Sequence, residues 1–271
     1  MKNINIKELS IQVNLNGLSF CILNRSTNTV ELLKSLPFTE KLTPFNLLDR
    51  LKAALSAESR FSQAFNSVTI IHQNELAALV PKELYDENNK ADYLKFNAKI
   101  LKTDFIAHDE IAVNNTINVY IPYVNINNYI YDTFGGFIYK HASTLLIDTL
   151  LQRQKDAEGY LVHINVNTAS LEIVVSNNNE LQLFNVFDYY SKEDFIYYVL
   201  FVFEQLNLDP EVTPIVLSGA ITKHDELYNI LYTYIRDIAI INKDYKYKFL
   251  DTVYNEQPHE LPFYHLLLNS F

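Results

Sequence analysis

The stretch LSIQVNLNGLSFCILNRSTNTVELLKSL, residues 9–36, holds three apolar runs separated by two polar turns. Leu9–Leu15 alternates apolar and polar side chains, the period of a strand with one buried face. Leu18–Leu23 follows Asn16-Gly17, a dipeptide that favours the type I′ turn because both residues tolerate positive φ. Thr29–Leu36 follows a second polar turn at Ser26–Asn28. The reading is a three-stranded meander. Thr43-Pro44 then marks a helix start, with threonine as N-cap and proline at the first helical position. Phe45, Leu48, Leu51 and Leu55 continue at helical spacing, and Val68–Ile71 is a short buried strand.

The order recurs later in the chain. Residues 160–187, YLVHINVNTASLEIVVSNNNELQLFNVF, again split into three strands, Tyr160–Val166, Ser170–Ser176 and Glu180–Phe187. Ser191 starts a helix with Asp194 three residues on, a variant of the capping-box spacing. That helix, running to about Asn207, is apolar on nearly every face and is predicted to be buried. Pro214–Ser218 reads as a strand, His224–Ile235 as a helix and Ile238–Ile241 as a strand, and Pro262 opens a final apolar helix. Val68 follows Leu9 at nearly the offset at which Ile215 follows Leu161, so the pattern is a structural duplication. Between the copies, Lys82–Asn97 reads as a helix in two pieces, and Thr103–Ile111 and Thr116–Tyr123 as strands. Asn125–Phe134 reads as a helix ended by Gly135-Gly136, Phe137–His141 as a strand, and Ser143 as the cap of a helix to about Gln154. The predicted lobes are 1–155, with an insertion over about 82–123, and 156–271, whose C-terminal helix over about 262–271 is expected to pack back toward the first lobe.

Of the 271 residues 48% are apolar and 20% charged, enough for a full core. The net charge of −10 repels phosphate backbones, which argues against nucleic acid or anionic lipid as the main partner. The single cysteine, Cys21, lies in an apolar run and reads as a core residue. The first residues carry no signal-like apolar segment. The longest apolar run, Phe195–Phe203, is far short of the roughly 20 residues a membrane span needs. The expected location is the cytoplasm. There are only five glycines, few for a chain that would cradle phosphates on exposed backbone N–H groups.

Two copies of a βββαβα unit resemble the actin-like ATPase superfamily, which includes actin, the Hsp70 ATPase domain and sugar kinases. Within it the chain resembles an uncharacterised Bacteroidetes family, a domain of unknown function. The resemblance implies an α/β class and a two-lobed actin-like ATPase fold, with ribonuclease H-like duplicated lobes around a central cleft. In active relatives each meander opens with an aspartate, which arranges Mg²⁺ and its waters, and a glycine turn that binds phosphate. Here the first turn reads Val13-Asn14-Leu15-Asn16-Gly17, with Asn14 where aspartate is expected and Asn16 near the expected glycine. The second reads Ile164-Asn165-Val166-Asn167-Thr168, with Asn165 and Asn167 in the same two roles. The adenosine turn, normally with paired glycines, reads Ser218-Gly219-Ala220. Asparagine offers Mg²⁺ no charge and cannot act as a general base. Asn16 and Asn167 are expected to adopt positive φ and keep the turns tight.

The other polar groups have ordinary explanations. The histidines show no metal-ligand spacing, and His163 alone lies near the second turn, as a packed or hydrogen-bonded strand residue. His72, Asn74 and Glu75 follow a strand end, where loop polarity explains them. A carboxylate pair from Glu172 and Asp188 would need convergence. Lys243, Tyr245, Lys246, Tyr247, Lys248 and Phe249 read as a half-buried strand. Nineteen tyrosines and seventeen phenylalanines point to a protein partner, if several are exposed together. The expectation is a catalytically degenerate actin-like fold serving as an interaction or scaffold module, with no cofactor. The alternative is a divergent nucleotide-binding protein, ATPase or small-molecule kinase that takes ATP and Mg²⁺ on other carboxylates. Asn14, Asn16, Gly17, Asn165, Asn167, Thr168, Ser218 and Gly219 form the candidate degenerate nucleotide cleft.

Overall fold

Strands β1 (Lys7–Asn14), β2 (Gly17–Asn24) and β3 (Thr29–Pro37) form the first meander in a computed structural model, which describes residues 5–95, 100, 101, 103–153, 158–241, 246–256 and 264–271. Alternation buries Leu9, Ile11 and Val13 against the first helix, α1 (Pro44–Ala57). The Thr43 hydroxyl accepts the Asn46 N–H at 3.3 Å and caps α1, with Pro44 behind it. The buried stripe is Leu47, Leu51, Ala54 and Leu55, whereas Phe45 is exposed. The helical spacing was legible, but its inward face is turned by two residues from Phe45.

β4 (Ser67–His72) joins β1 in parallel. β5 (Ala77–Pro81) has no counterpart in the sequence reading, because AALVP is short and ends in proline. Of the two-piece helix expected over 82–97, residues 96 and 97 lie outside the described ones, and the rest forms two short 3₁₀ turns, Lys82–Leu84 and Glu87–Asn89, and α2 (Lys90–Leu94). Asp86 breaks it by accepting the Asn88 N–H on its side chain at 2.9 Å. β6 (Ala107–Ile111) and β7 (Thr116–Tyr120) complete a small antiparallel sheet of order β5-β7-β6. α3 (Val124–Phe134) ends at Gly135, whose φ is 80°, and β8 (Ile138–His141) pairs in parallel with β4. α4 (Ala142–Arg153) starts two residues earlier than a cap at Ser143 implies. Ser143 therefore lies inside its first turn, and its hydroxyl is bonded to His141 Nδ1 at 2.7 Å.

The second copy comprises β9 (Tyr160–Val166), β10 (Ser170–Asn177), β11 (Glu180–Asp188), α5 (Lys192–Gln205), β12 (Ile215–Gly219), α6 (Glu226–Tyr234) and β13 (Ile238–Ile240). Its sheet order, β11-β10-β9-β12-β13, matches β3-β2-β1-β4-β8 strand for strand, with the last two strands parallel to the first in each. Ser191 and Asp194 form a reciprocal capping box on α5. That helix is not buried all round. It buries Phe195, Ile196, Val199, Val202 and Phe203 but exposes Tyr197 and Phe201. β14 (Lys248–Phe249) adds to β3 in parallel, followed by α7 (Asp251–Glu256) and α8 (His265–Leu268). Lys243, Tyr245, His259 and the expected helix start at Pro262 lie outside the described residues.

The chain divides into two compact units. One is Met1–Asp148 with Tyr245–Glu256 and Leu266–Phe271, and the other is Thr149–Asp244 with Gln257–His265. In the first, the C-terminal Ser270 hydroxyl donates to Ser10 Oγ of β1 at 2.7 Å. No helix among the described residues is long and apolar enough to cross a membrane.

Candidate functional site

In the first unit, β1 and β2 are joined by a two-residue loop, Leu15-Asn16, because the register pairs Asn14 with Gly17. Neither Asn16 nor Gly17 has positive φ, so the type I′ turn expected at Asn16-Gly17 does not form. The Asn14 side chain organises the loop instead. Its Oδ1 accepts the Asn16 N–H at 2.7 Å, and its Nδ2 donates to the Gln73 carbonyl at 3.3 Å. Gln73, just past β4, also accepts from Gln12 Nε2 on its side chain at 2.7 Å. Gly17 fits because an added Cβ would lie 3.2 Å from the Leu36 carbonyl oxygen.

In the second unit the loop between β9 and β10 is Thr168-Ala169, closed by the Asn167 N–H on the Ser170 carbonyl at 2.8 Å. Asn167 does not adopt positive φ either. Left-handed asparagines stand elsewhere, two of them at Asn178 (φ 48°) and Asn179 (φ 66°) in the β10–β11 turn, where two such residues in succession suit a tight hairpin. The Asn167 carbonyl accepts the Tyr189 hydroxyl at 2.7 Å, and Thr168 is exposed.

Asn165 lies deeper. It is buried in β9, opposite Glu172 on β10 and Ser218 on β12. Its Nδ2 donates to Glu172 Oε2 at 2.6 Å, and its Oδ1 accepts the Ser218 hydroxyl at 2.8 Å. With the hydroxyl proton so directed, Ser218 Oγ is left to accept from His163 Nε2 at 2.8 Å. The chain of donors thus sets the imidazole as the Nε2–H tautomer and leaves Nδ1 as a buried acceptor, with no hydrogen-bond partner. Burial holds His163 well below its ordinary pKa, so it is neutral. The ring stacks on His265 at a centroid distance of 6.3 Å. Gly219 closes the end of β12 with φ 86°, and a Cβ there would lie 2.1 Å from the Val166 carbonyl oxygen. The Ala220 N–H donates to that oxygen at 2.7 Å. Glycine is therefore required by the close approach of two strand ends.

Four residues on three neighbouring strands, His163, Asn165, Glu172 and Ser218, thus form one buried polar network. The sequence reading weighed His163 and Glu172 separately and missed their link. The available signal was His163 and Asn165 at a spacing of two within an apolar strand, which puts both on one face. Asp188 is exposed and pairs with Ser170, two positions along β10 from the buried Glu172, which pairs with Val186. Among the described residues no group of three or more His, Cys, Asp or Glu side chains is placed to hold a metal ion.

The first unit has its own polar cluster. The half-buried Asp109 carboxylate of β6 accepts the His141 N–H and the Thr144 hydroxyl, each at 2.8 Å, at the start of α4, and the Tyr120 hydroxyl at 3.1 Å. Asn118 on β7 donates to Ser143 and Thr144. These bonds tie the small sheet to the helix that follows β8.

A family model described as a protein of unknown function (DUF3822) matches residues 1–238. The chain belongs to the DUF3822 family. A crystal structure from Bacteroides thetaiotaomicron, of a protein with actin-like ATPase fold and unknown function, is similar to this DUF3822 member at a TM-score of 0.74 and 22% identity, over 88% of this chain and 91% of that one. A chain of the PilM–PilN type IV pilus biogenesis complex is similar at a TM-score of 0.65 and 12% identity, over 98% and 97%. The curated proteins contain no match. The fold is therefore the actin-like ATPase fold, as the two asparagine-bearing meanders implied.

Proposed function

We propose that this chain is a catalytically degenerate actin-like protein of the cytoplasm that works as a protein-interaction module. The observation that carries the reading is the use of both side-chain amide groups within the protein. Asn14 spends its amide on its own loop and on the Gln73 carbonyl, and Asn165 spends its amide on Glu172 and Ser218. The donor set does not fit Mg²⁺, which prefers carboxylate oxygens and ordered water at an open site. The exposed aromatics Tyr190, Tyr197, Phe201 and Tyr232 support a protein partner, as does the likeness to a chain from a complex, PilM–PilN.

Calorimetric titration with Mg·ATP tests this. Absent or millimolar binding is the expected result, and saturable micromolar binding overturns it. The reading as a divergent nucleotide-binding protein, ATPase or small-molecule kinase has one observation in its favour, the Glu172 carboxylate beside the expected aspartate position. On that reading Mg·ATP binds and Glu172→Gln weakens it.

A further inference from the structure

The two copies of the meander differ at their outer edges. In the first unit, β3 carries β14 alongside it in parallel, so the chain supplies its own extra strand there. In the second unit, β11 ends the sheet, and among the described residues no strand lies beyond it. At nine residues β11 is long for an edge strand. The sequence ELQLFNVFD contains no proline, lysine or arginine to blunt such an edge, and its one irregularity, a bulge at Gln182, leaves Leu183–Asp188 in regular register with β10.

The direction of the free backbone groups follows from the register. The Tyr189 N–H donates inward to the Ala169 carbonyl at 3.1 Å, so odd-numbered residues at this end bond to β10. The N–H and C=O groups of Phe184, Val186 and Asp188 then point outward. Among the described residues the Val186 N–H is met by its neighbour's side chain, Asn185 Oδ1 at 2.8 Å, a local bond that a strand can displace. An aromatic ladder begins on the same strand. Phe187 stacks on Tyr198 at 4.7 Å, Tyr198 meets Tyr197 at 5.4 Å, and Tyr197 stacks on Phe201 at 6.3 Å along α5.

We propose that the outer edge of β11 is a docking edge for an extended segment of another protein, apolar at alternate positions and basic at its ends, added as a sixth strand. Charge selects this occupant. Glu180 and Asp188 are exposed at the two ends of β11, with Glu193 exposed close behind in the chain, and the nearby Lys192 is held by Glu226 at 3.6 Å. A second copy is disfavoured by the same charges. Antiparallel self-pairing about Phe184 brings the Glu180 end of each β11 beside the Asp188 end of the other twice, with the bulge at Gln182 between, and like charges in close approach destabilise a strand pair. The alternate apolar side chains of the segment meet the Phe187–Tyr198–Tyr197–Phe201 ladder.

This assignment rests on the interaction-module reading, yet the two fail separately. Micromolar Mg·ATP binding overturns that reading and does not touch β11. The probe for β11 is a peptide of alternating valine and threonine, as long as the strand, with lysine at both ends, and the control is its glutamate-ended twin. The lysine-ended peptide is expected to bind the full chain and to slow amide exchange at Phe184 and Asp188. Val186→Pro removes one outward N–H without touching the β10 ladder and is expected to weaken binding by about tenfold or more. Reversing both charges, Glu180→Lys with Asp188→Lys, is expected to switch preference to the glutamate-ended peptide, which guards against a proline variant that fails to fold. No binding of the lysine-ended peptide, protection elsewhere than β11, or sedimentation as a β11-paired dimer overturns the proposal.

Discussion

Asn165 donates to a carboxylate with one half of its amide and accepts a hydroxyl proton with the other. An aspartate has two acceptors and no donor when ionised, so it cannot do both. Asn165→Asp sets a second carboxylate about 3 Å from Glu172 in a buried site, where two such groups cannot both ionise without penalty. The variant is expected to lose ~2 kcal/mol of unfolding free energy at pH 7, read by urea denaturation. The same logic holds more weakly at Asn14, which is only half-buried. The sequence shows that both aspartates are replaced, and it shows the loss of charge. What the amides do instead was not legible, because Gln73, Glu172 and Ser218 reach them only through strand register. The positive φ expected at Asn16 and Asn167 shows the same limit. Local turn preference favoured left-handed asparagines there, but the register closed each loop over the two residues between the paired strands and left neither asparagine left-handed.

At the scale of elements, signals that are local in the chain held best. The Ser191–Asp194 box and the Thr43 cap need only residues three apart, and both form. Ser191→Ala removes one hydrogen bond at the start of α5 and is expected to lower stability by ~1 kcal/mol, visible as a shift in thermal midpoint. Readings that depend on what covers an element held less well. Helix α5 looked apolar all round, but Tyr197 is 62% exposed, because tyrosine and phenylalanine count as apolar in composition wherever they point. β5 was overlooked since its pairing partner, β7, lies far along the chain and supplies the hydrogen bonds that its own short sequence does not advertise.

Over the whole molecule, buried histidines link stability to acid. His72 accepts the Tyr123 N–H on Nδ1 and bonds Asn127 Oδ1 through Nε2, and His141 accepts the Ser143 N–H on Nδ1. Burial lowers His72 to about 4 and His141 and His265 to about 3. Each binds a proton more readily unfolded, near pH 6.5, than folded. Their contribution is therefore complete above about pH 6.5 and is lost as the pH falls through 4 toward 3. Chemical denaturation across that window should show stability falling steadily with acid. A flat profile there would contradict the neutral, buried assignment. The duplicated order of strands and helices was determined by the sequence alone, since period-two runs, caps and turn residues act within a few positions and occur twice. The two missing aspartates and the acidic surface were likewise plain in the chain. The joining of His163, Asn165, Glu172 and Ser218 was decided only by the tertiary structure, as were the β14 strand beside the start of β3 and the lack, among the described residues, of a strand beyond β11. Register and strand order bring together residues that lie dozens of positions apart, and no local propensity encodes that distance.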